Sequence, residues 1–202
     1  MPTVHLTVRE LKDKDPKRFD KEYYRWCEHE PYDGWSEYIE GNFRAQHAPW
    51  VEARSIWYSL HGQGSYACFS GVVYVGKLMK HLKLDEDYLP LYLAMESDGS
   101  YFKVDGTARG NLQMHIEGNP WDTAPEGVFS TLDQSEWQDL VDAQLEESDI
   151  ENVAEEFCKD ICHELHTELE REYDHMTSEE SFIESCEINE VTFEIEPEGD
   201  EE

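Results

Sequence analysis

Apolar and polar positions alternate at the start of the chain, with Val4, Leu6 and Val8 on one side, which predicts a short strand over residues 3–8. Asp15-Pro16 follows as a helix opening, an N-cap and then proline at the first helical position. A helix from there to about residue 28 puts Phe19, Tyr23 and Trp26 on its inner side. A second helix is expected after Asp33-Gly34, with Trp35, Tyr38, Ile39 and Phe43 as its apolar positions. Residues 55–60 and 67–75 are rich in aromatic and β-branched side chains. The turn-forming His61-Gly62-Gln63-Gly64 lies between them, the pattern of a hairpin. Residues 77–84 and 88–96 read as helical, interrupted by Asp85-Glu86-Asp87 and bent near Pro90. Residues 100–104 and 111–117 read as strands, and 118–130, with its prolines and glycines, as a connecting loop.

The strongest periodicity comes next. Ser135-Glu136-Trp137-Gln138 and Ser148-Asp149-Ile150-Glu151 both have the spacing of a capping box. The first predicts a short helix burying Trp137, Leu140, Val141 and Leu145. The second predicts a long one over about 149–176, with Ile150, Val153, Phe157, Ile161, Leu165, Leu169, Tyr173 and Met176 as a stripe at intervals of three and four. Such a helix is about 40 Å long. Val191, Phe193 and Ile195 then alternate with polar residues in a closing strand, a natural partner for the amino-terminal one. The expectation is an α+β fold, an antiparallel sheet with packed helices, forming a single domain over 1–196 with a disordered acidic tail at 197–202.

Composition changes the picture through charge. The 202 residues hold 16 Lys+Arg against 47 Asp+Glu, a net of −31. Direct nucleic-acid binding through a basic groove is therefore not expected, because phosphate contacts rest on cations. Anionic membrane surfaces are disfavoured likewise, and no apolar run is long enough to span a bilayer. A hydrophobic share of 39%, with 12% aromatic, separates the chain from disordered acidic polymers. The start lacks the basic and apolar blocks of a signal peptide, no Asn-X-Ser/Thr sequon occurs, and the five cysteines are an odd number. These features suggest a reduced, cytoplasmic setting. No cofactor is implied.

The charge is uneven. Residues 1–110 carry 14 Lys+Arg and 17 Asp+Glu, whereas residues 111–202 carry 2 and 30. Along the long helix, Glu147, Glu151 and Glu155 and then Asp160, Glu164, Glu168 and Glu172 recur every four residues. Like charges at that spacing repel by a few tenths of a kcal/mol per pair, and lysines four residues on would relieve them. A sharp reading is that Glu151, Glu155, Glu164, Glu168 and Glu172, with Asp139, Asp142 and Glu146 beside them, imitate a nucleic-acid backbone. They would occupy the basic cleft of a host nucleic-acid-handling protein, such as a defence nuclease, RNA polymerase or a nucleoid protein. The plain alternative is a solvated helix face whose acidity serves solubility, as in a structural or assembly component. The oligomeric state stays open.

Gly62, Gln63, Gly64, Ala67, Cys68, Phe69 and Gly71 in the hairpin, and Leu169, Glu172, Tyr173, Ser178, Glu180, Glu184, Asn189, Glu190 and Phe193 near the end, carry a resemblance. The chain resembles a family of small phage and prophage proteins with a Gly-Gln-Gly-Asp-Gly-Ala-Cys-Phe-x-Gly hairpin and a Leu-x-x-Glu-Tyr helix end. The resemblance implies a phage origin and a shared fold, and brings no activity. Ser65-Tyr66 stands where that pattern has Asp-Gly.

A Gly-Asp-Gly-x-Cys arrangement is similar to that of deubiquitinating cysteine proteases, so an alternative from another class is a hydrolase with Cys68 as nucleophile and His115, or His61, as base. The departure at Ser65-Tyr66 weakens it, and a cysteine between Ala67 and Phe69 in an apolar strand reads as a small buried hydrophobe. Cys158, Cys162 and His166 stand at i, i+4 and i+8 of the long helix, where eight residues span about 12 Å. Ligand distances of about 2.0–2.3 Å forbid one ion from bridging all three; only a neighbouring pair could share a metal with ligands from elsewhere, and the flanking Phe157, Ile161 and Leu165 favour plain core packing.

Overall fold

The computed structural model describes residues 4–29, 34–60, 64–106, 112–118 and 132–195. The expected turn at 61–63, all but the first residue of the expected loop over 118–130, and the acidic tail at 197–202 lie outside the described residues. The chain forms two compact units, one from residues 1–35 and 170–202 and the other from 36–169. The change in net charge at residue 110 is thus not a boundary in packing. No described helix is long and apolar enough to cross a membrane.

In the first unit β1 (Val4–Leu6) pairs antiparallel with β6 (Phe193–Ile195), with Leu6 opposite Phe193. The strand stops short of Val8 because Thr7 caps a helix, α1 (Val8–Lys14). The Thr7 hydroxyl accepts from the Glu10 N–H while the Glu10 carboxylate accepts from the Thr7 N–H at 2.9 Å, a reciprocal capping box. Val8 and Leu11 turn inward, and α2 (Pro16–His29) adds Phe19, as its Asp-Pro opening predicts. These pack on Phe182, Ile183 and Cys186 of α8 (Glu179–Ile188), with Tyr23, Trp26 and Phe193 at the margin. The Phe19 and Phe182 rings meet edge-on at 5.5 Å.

The second unit is built on a four-stranded antiparallel meander in the order β2 (Val51–Ser59), β3 (Tyr66–Tyr74), β4 (Tyr101–Gly106) and β5 (Leu112–Glu117). Three helices join or precede these strands: α3 (Glu37–His47) before β2, and α4 (Val75–His81) and α5 (Leu89–Asp98) between β3 and β4. Val51, Ala53, Phe69, Val73, Phe102 and Val104 are buried, while Glu52, Arg54, Lys103, His115 and Glu117 are exposed. That alternation holds in the first half of β2 and in β4 and β5, as expected of an antiparallel sheet with one wet face, whereas β3 buries Cys68 and Val72 on the other side as well.

Two helices complete the unit, α6 (Gln134–Ser148) and the greater part of α7 (Ile150–Met176). Both starts differ from the expected capping boxes. Asp133, not Ser135, caps α6, exchanging hydrogen bonds with Glu136. Ser148 is the last residue of α6, and its hydroxyl donates to the Leu145 carbonyl at 3.3 Å. Asp149, in the left-handed region at φ 49°, breaks the helix before α7 begins. Leu140, expected inside, is exposed.

The inner face of α7 also shifts. Ile150, Ile161, Leu165 and Leu169 are buried as expected, but Ala154, Cys158 and Cys162 are buried with them, and Val153 and Phe157 only half so. Each step of four residues advances about 40° around the axis, so an interval-four stripe winds off the contact face and small residues complete it.

A β-bulge between Ala53 and Ser55 brings the Glu52 carbonyl against Gly71, where a Cβ would collide with it. Gly71→Ala should lower stability by about 1–3 kcal/mol in urea unfolding. Gly41→Ala, with open space on exposed α3, should raise it by up to about 1 kcal/mol.

Candidate functional site

The two units handle their acidity differently. The first holds 22 Asp+Glu and 8 Lys+Arg, and the basic residues of α1 meet the acidic ones of α8. Arg9 binds Glu187 at 2.6 Å and reaches Glu180 at 3.7 Å, Lys12 binds Glu179, and the Arg18 guanidinium donates to the Glu194 carbonyl at 2.6 Å. Arg9 and Thr7 hold the Glu187 and Glu10 carboxyls, respectively, below their ordinary range, chiefly through hydrogen bonds. The second unit holds 25 Asp+Glu and 8 Lys+Arg, but residues 132–169 account for 13 of the carboxylates and one lysine. Residues 132–169 thus carry a net of −12 in 38 residues, against −14 in the 68 residues of the first unit, so the denser field lies on α6 and the adjoining part of α7.

On α7 the Glu156, Asp160, Glu164 and Glu168 side chains are all exposed, at a constant spacing of four. Their carboxylates advance about 6 Å and 40° per step, a row some 18 Å long that winds slowly with a right-handed sense. Glu155 departs from expectation: it is half-buried and bound at 2.7 Å by Lys159, the one lysine of this segment. Glu151 is exposed, but five residues before Glu156 places it about 140° around the helix.

Two depressions organise these groups. One of about 640 Å³ is lined by Asp149, Glu155, Glu156 and Asp160 with Lys159 and Asn152, over Leu82, Val153 and Phe157. The other, about 370 Å³, lies where α6 gives way to α7 and gathers Asp142, Glu146, Asp149 and Glu151 with Leu145 and Ile150. Asp149 belongs to both. Asp139 is exposed on α6. Glu172 is exposed too but falls in the first unit. Glu156 and Asp149 were missed as site residues, although the four-residue spacing through Glu156 is readable once the inner face of α7 is known.

Cys68 and His115 are not brought together. Cys68 is fully buried opposite Trp57 in the β2–β3 ladder. Lys103 pairs with both Val72 and His115, so His115 stands two strands from Val72 and Cys68 four residues further along β3. At the usual strand spacing and rise their Cα atoms are about 16 Å apart, beyond any nucleophile–base hydrogen bond. His115 Nε2 instead faces the Glu117 carboxylate at 3.2 Å.

The Cys158, Cys162 and His166 trio fares similarly. Among the described residues no group of three His, Cys, Asp or Glu is arranged to hold a metal ion. Cys158 and Cys162 are core residues of α7, and burial pushes both thiols up, Cys162 to about 12, against the thiolate a metal or a nucleophile needs. Cys162, His163 and His166 do line a small depression of about 210 Å³ with Ser65, Tyr66 and Lys159.

Comparison with known protein families, curated proteins and solved structures finds no match to this chain.

Thiol labelling at neutral pH should modify half-buried Cys27 first, with Cys68, Cys158 and Cys162 reacting only on denaturation, as read by peptide mass spectrometry.

Proposed function

We propose that the protein is an acidic, non-enzymatic inhibitor that imitates a nucleic-acid backbone and occupies the basic cleft of a host nucleic-acid-handling protein. The resemblance of its hairpin and closing segment to phage and prophage proteins supplies the setting: a phage-encoded factor acting on a host protein such as a defence nuclease, RNA polymerase or a nucleoid protein. The observation that carries this reading is the row Glu156–Asp160–Glu164–Glu168, exposed on α7. A single DNA strand places a phosphate about every 3.4 Å and turns right-handedly in about 34–36 Å. The α7 row is sparser, one charge per about 6 Å, and its right-handed pitch is longer, about 54 Å. Asp142, Glu146 and Glu151 gather around the depression at the α6–α7 junction, and Asp139 is exposed on the same helix as the first two.

A partner built to clamp phosphates would bind such a surface through the same lysines and arginines, releasing the counterions they would release on DNA. Binding is then salt-sensitive, and duplex DNA competes with it. Solubility alone would not require the row to be free of intervening lysines on one helix face.

The test is capture of host proteins on the immobilised protein, followed by elution with duplex DNA. Bound proteins should be released by duplex and by raised salt. The quadruple variant Glu156→Gln/Asp160→Asn/Glu164→Gln/Glu168→Gln, folded by circular dichroism, should bind them about tenfold more weakly with a shallower salt dependence. Binding that duplex does not displace, or that the variant retains in full, overturns the proposal.

A further inference from the structure

His47, the last residue of α3, is 5% exposed, and its Nδ1 is buried without a hydrogen-bond partner. Its ring sits among aromatic rings: Phe43 at 4.8 Å, Trp50 at 6.2 Å and Phe157 of α7 at 6.4 Å, the last nearly perpendicular at 83°. Trp50 is stacked at 3.8 Å on His81, at the end of α4, and its Nε1 is likewise buried without a partner. Phe157 also meets His81 and Trp50, at 5.9 and 6.5 Å. Three helices, α3, α4 and α7, and the turn before β2 therefore meet on a cage containing two imidazoles.

We propose that this cage is a proton-sensitive latch that holds the end of α3 on α7 when His47 is neutral and loosens when His47 takes a second proton. The reason is geometric. A neutral imidazole needs one donor site and one acceptor site, and a buried Nδ1 without a partner is tolerable as a lone pair against aromatic rings. The imidazolium has a donor on each nitrogen, and the new N–H at Nδ1 meets no acceptor, in a site where a charge has lost its water. Burial accordingly holds the His47 pKa below its ordinary 6.5. The charged groups acting on it are Glu164 and Glu168 of α7, which favour the imidazolium, and His81, which opposes it. On its own helix Arg44 lies one turn back, held by Glu40 at 3.2 Å.

The sign follows from the depressed value. The neutral form is the one the fold prefers, so the latch is fully closed above about pH 6.5 and is lost as pH falls through the lower folded value. The latch does not depend on what the acidic row binds.

Hydrogen exchange read by mass spectrometry, corrected for intrinsic rates, tests it between pH 7.5 and about 5, above the ordinary carboxylate range. Peptides covering 39–50 and 157–168 should lose at least threefold of their protection at the lower pH. His47→Leu should abolish that loss, and His115→Asn, at an exposed histidine, should leave it in place. An equal loss in His47→Leu, or none in the unaltered protein, overturns the latch. Should His47→Leu fail to fold, the NMR titration of the His47 ring decides: a midpoint below 6.5 supports the proposal and one at or above it refutes it.

Discussion

A helix that buries Ile150, Ala154, Cys158, Ile161, Cys162, Leu165 and Leu169 on one side must hand its remaining positions to water, and the choice of side chains there is free of packing. In α7 seven of the thirteen exposed positions are carboxylates, and four of them fall in the single row from Glu156 to Glu168. Neighbours four residues apart repel, and the repulsion grows with the anions of α6 nearby. The rest of the second unit has to hold this helix in place against that cost, through the hydrophobic burial of its inner face.

The same chain contains the ordinary solution to the same problem. In the first unit the acidic residues of α8 face the basic ones of α1, and the pairs Arg9–Glu187 and Lys12–Glu179 offset part of the acidity locally. On the wet face of the sheet, Arg54 sits on Glu52 and Lys103 on Asp105. Such exposed pairs contribute little to stability individually, but they leave no strong field. Along residues 132–169 one lysine, bound to Glu155, is all that opposes 13 carboxylates. The contrast between segments, rather than the total of −31, is what singles out this surface.

Much of the fold was legible because its signals are local. The Asp-Pro opening of α2, the aromatic and β-branched strands, the pairing of the first and last strands and the length of α7 all follow from spacing and turn chemistry. The failures have physical causes as well. Alternation through Val4, Leu6 and Val8 masks the capping box at Thr7 and Glu10, so the expected strand runs on to Val8 and α1 is not anticipated. Two competing caps stood near α6, and Asp133 prevailed over Ser135. The split of acidity at residue 110 describes the sequence and not the packing, because residues distant in sequence pair within the first unit. Glu155 and Glu156 are indistinguishable in sequence; only the rotation of the buried face shows that the former is tied to Lys159 and the latter heads the exposed row.

The central claim is that the α7 row is kept against the interest of the fold, and the urea midpoint of the four-carboxylate variant relative to the unaltered protein tests it most directly. At low ionic strength the variant should unfold at higher urea, and the difference should vanish at about 1 M salt, where the screening length falls to about 3 Å. A variant that is less stable at low salt would mean that these carboxylates hold the structure together, and the account of them as a surface for another molecule would fail.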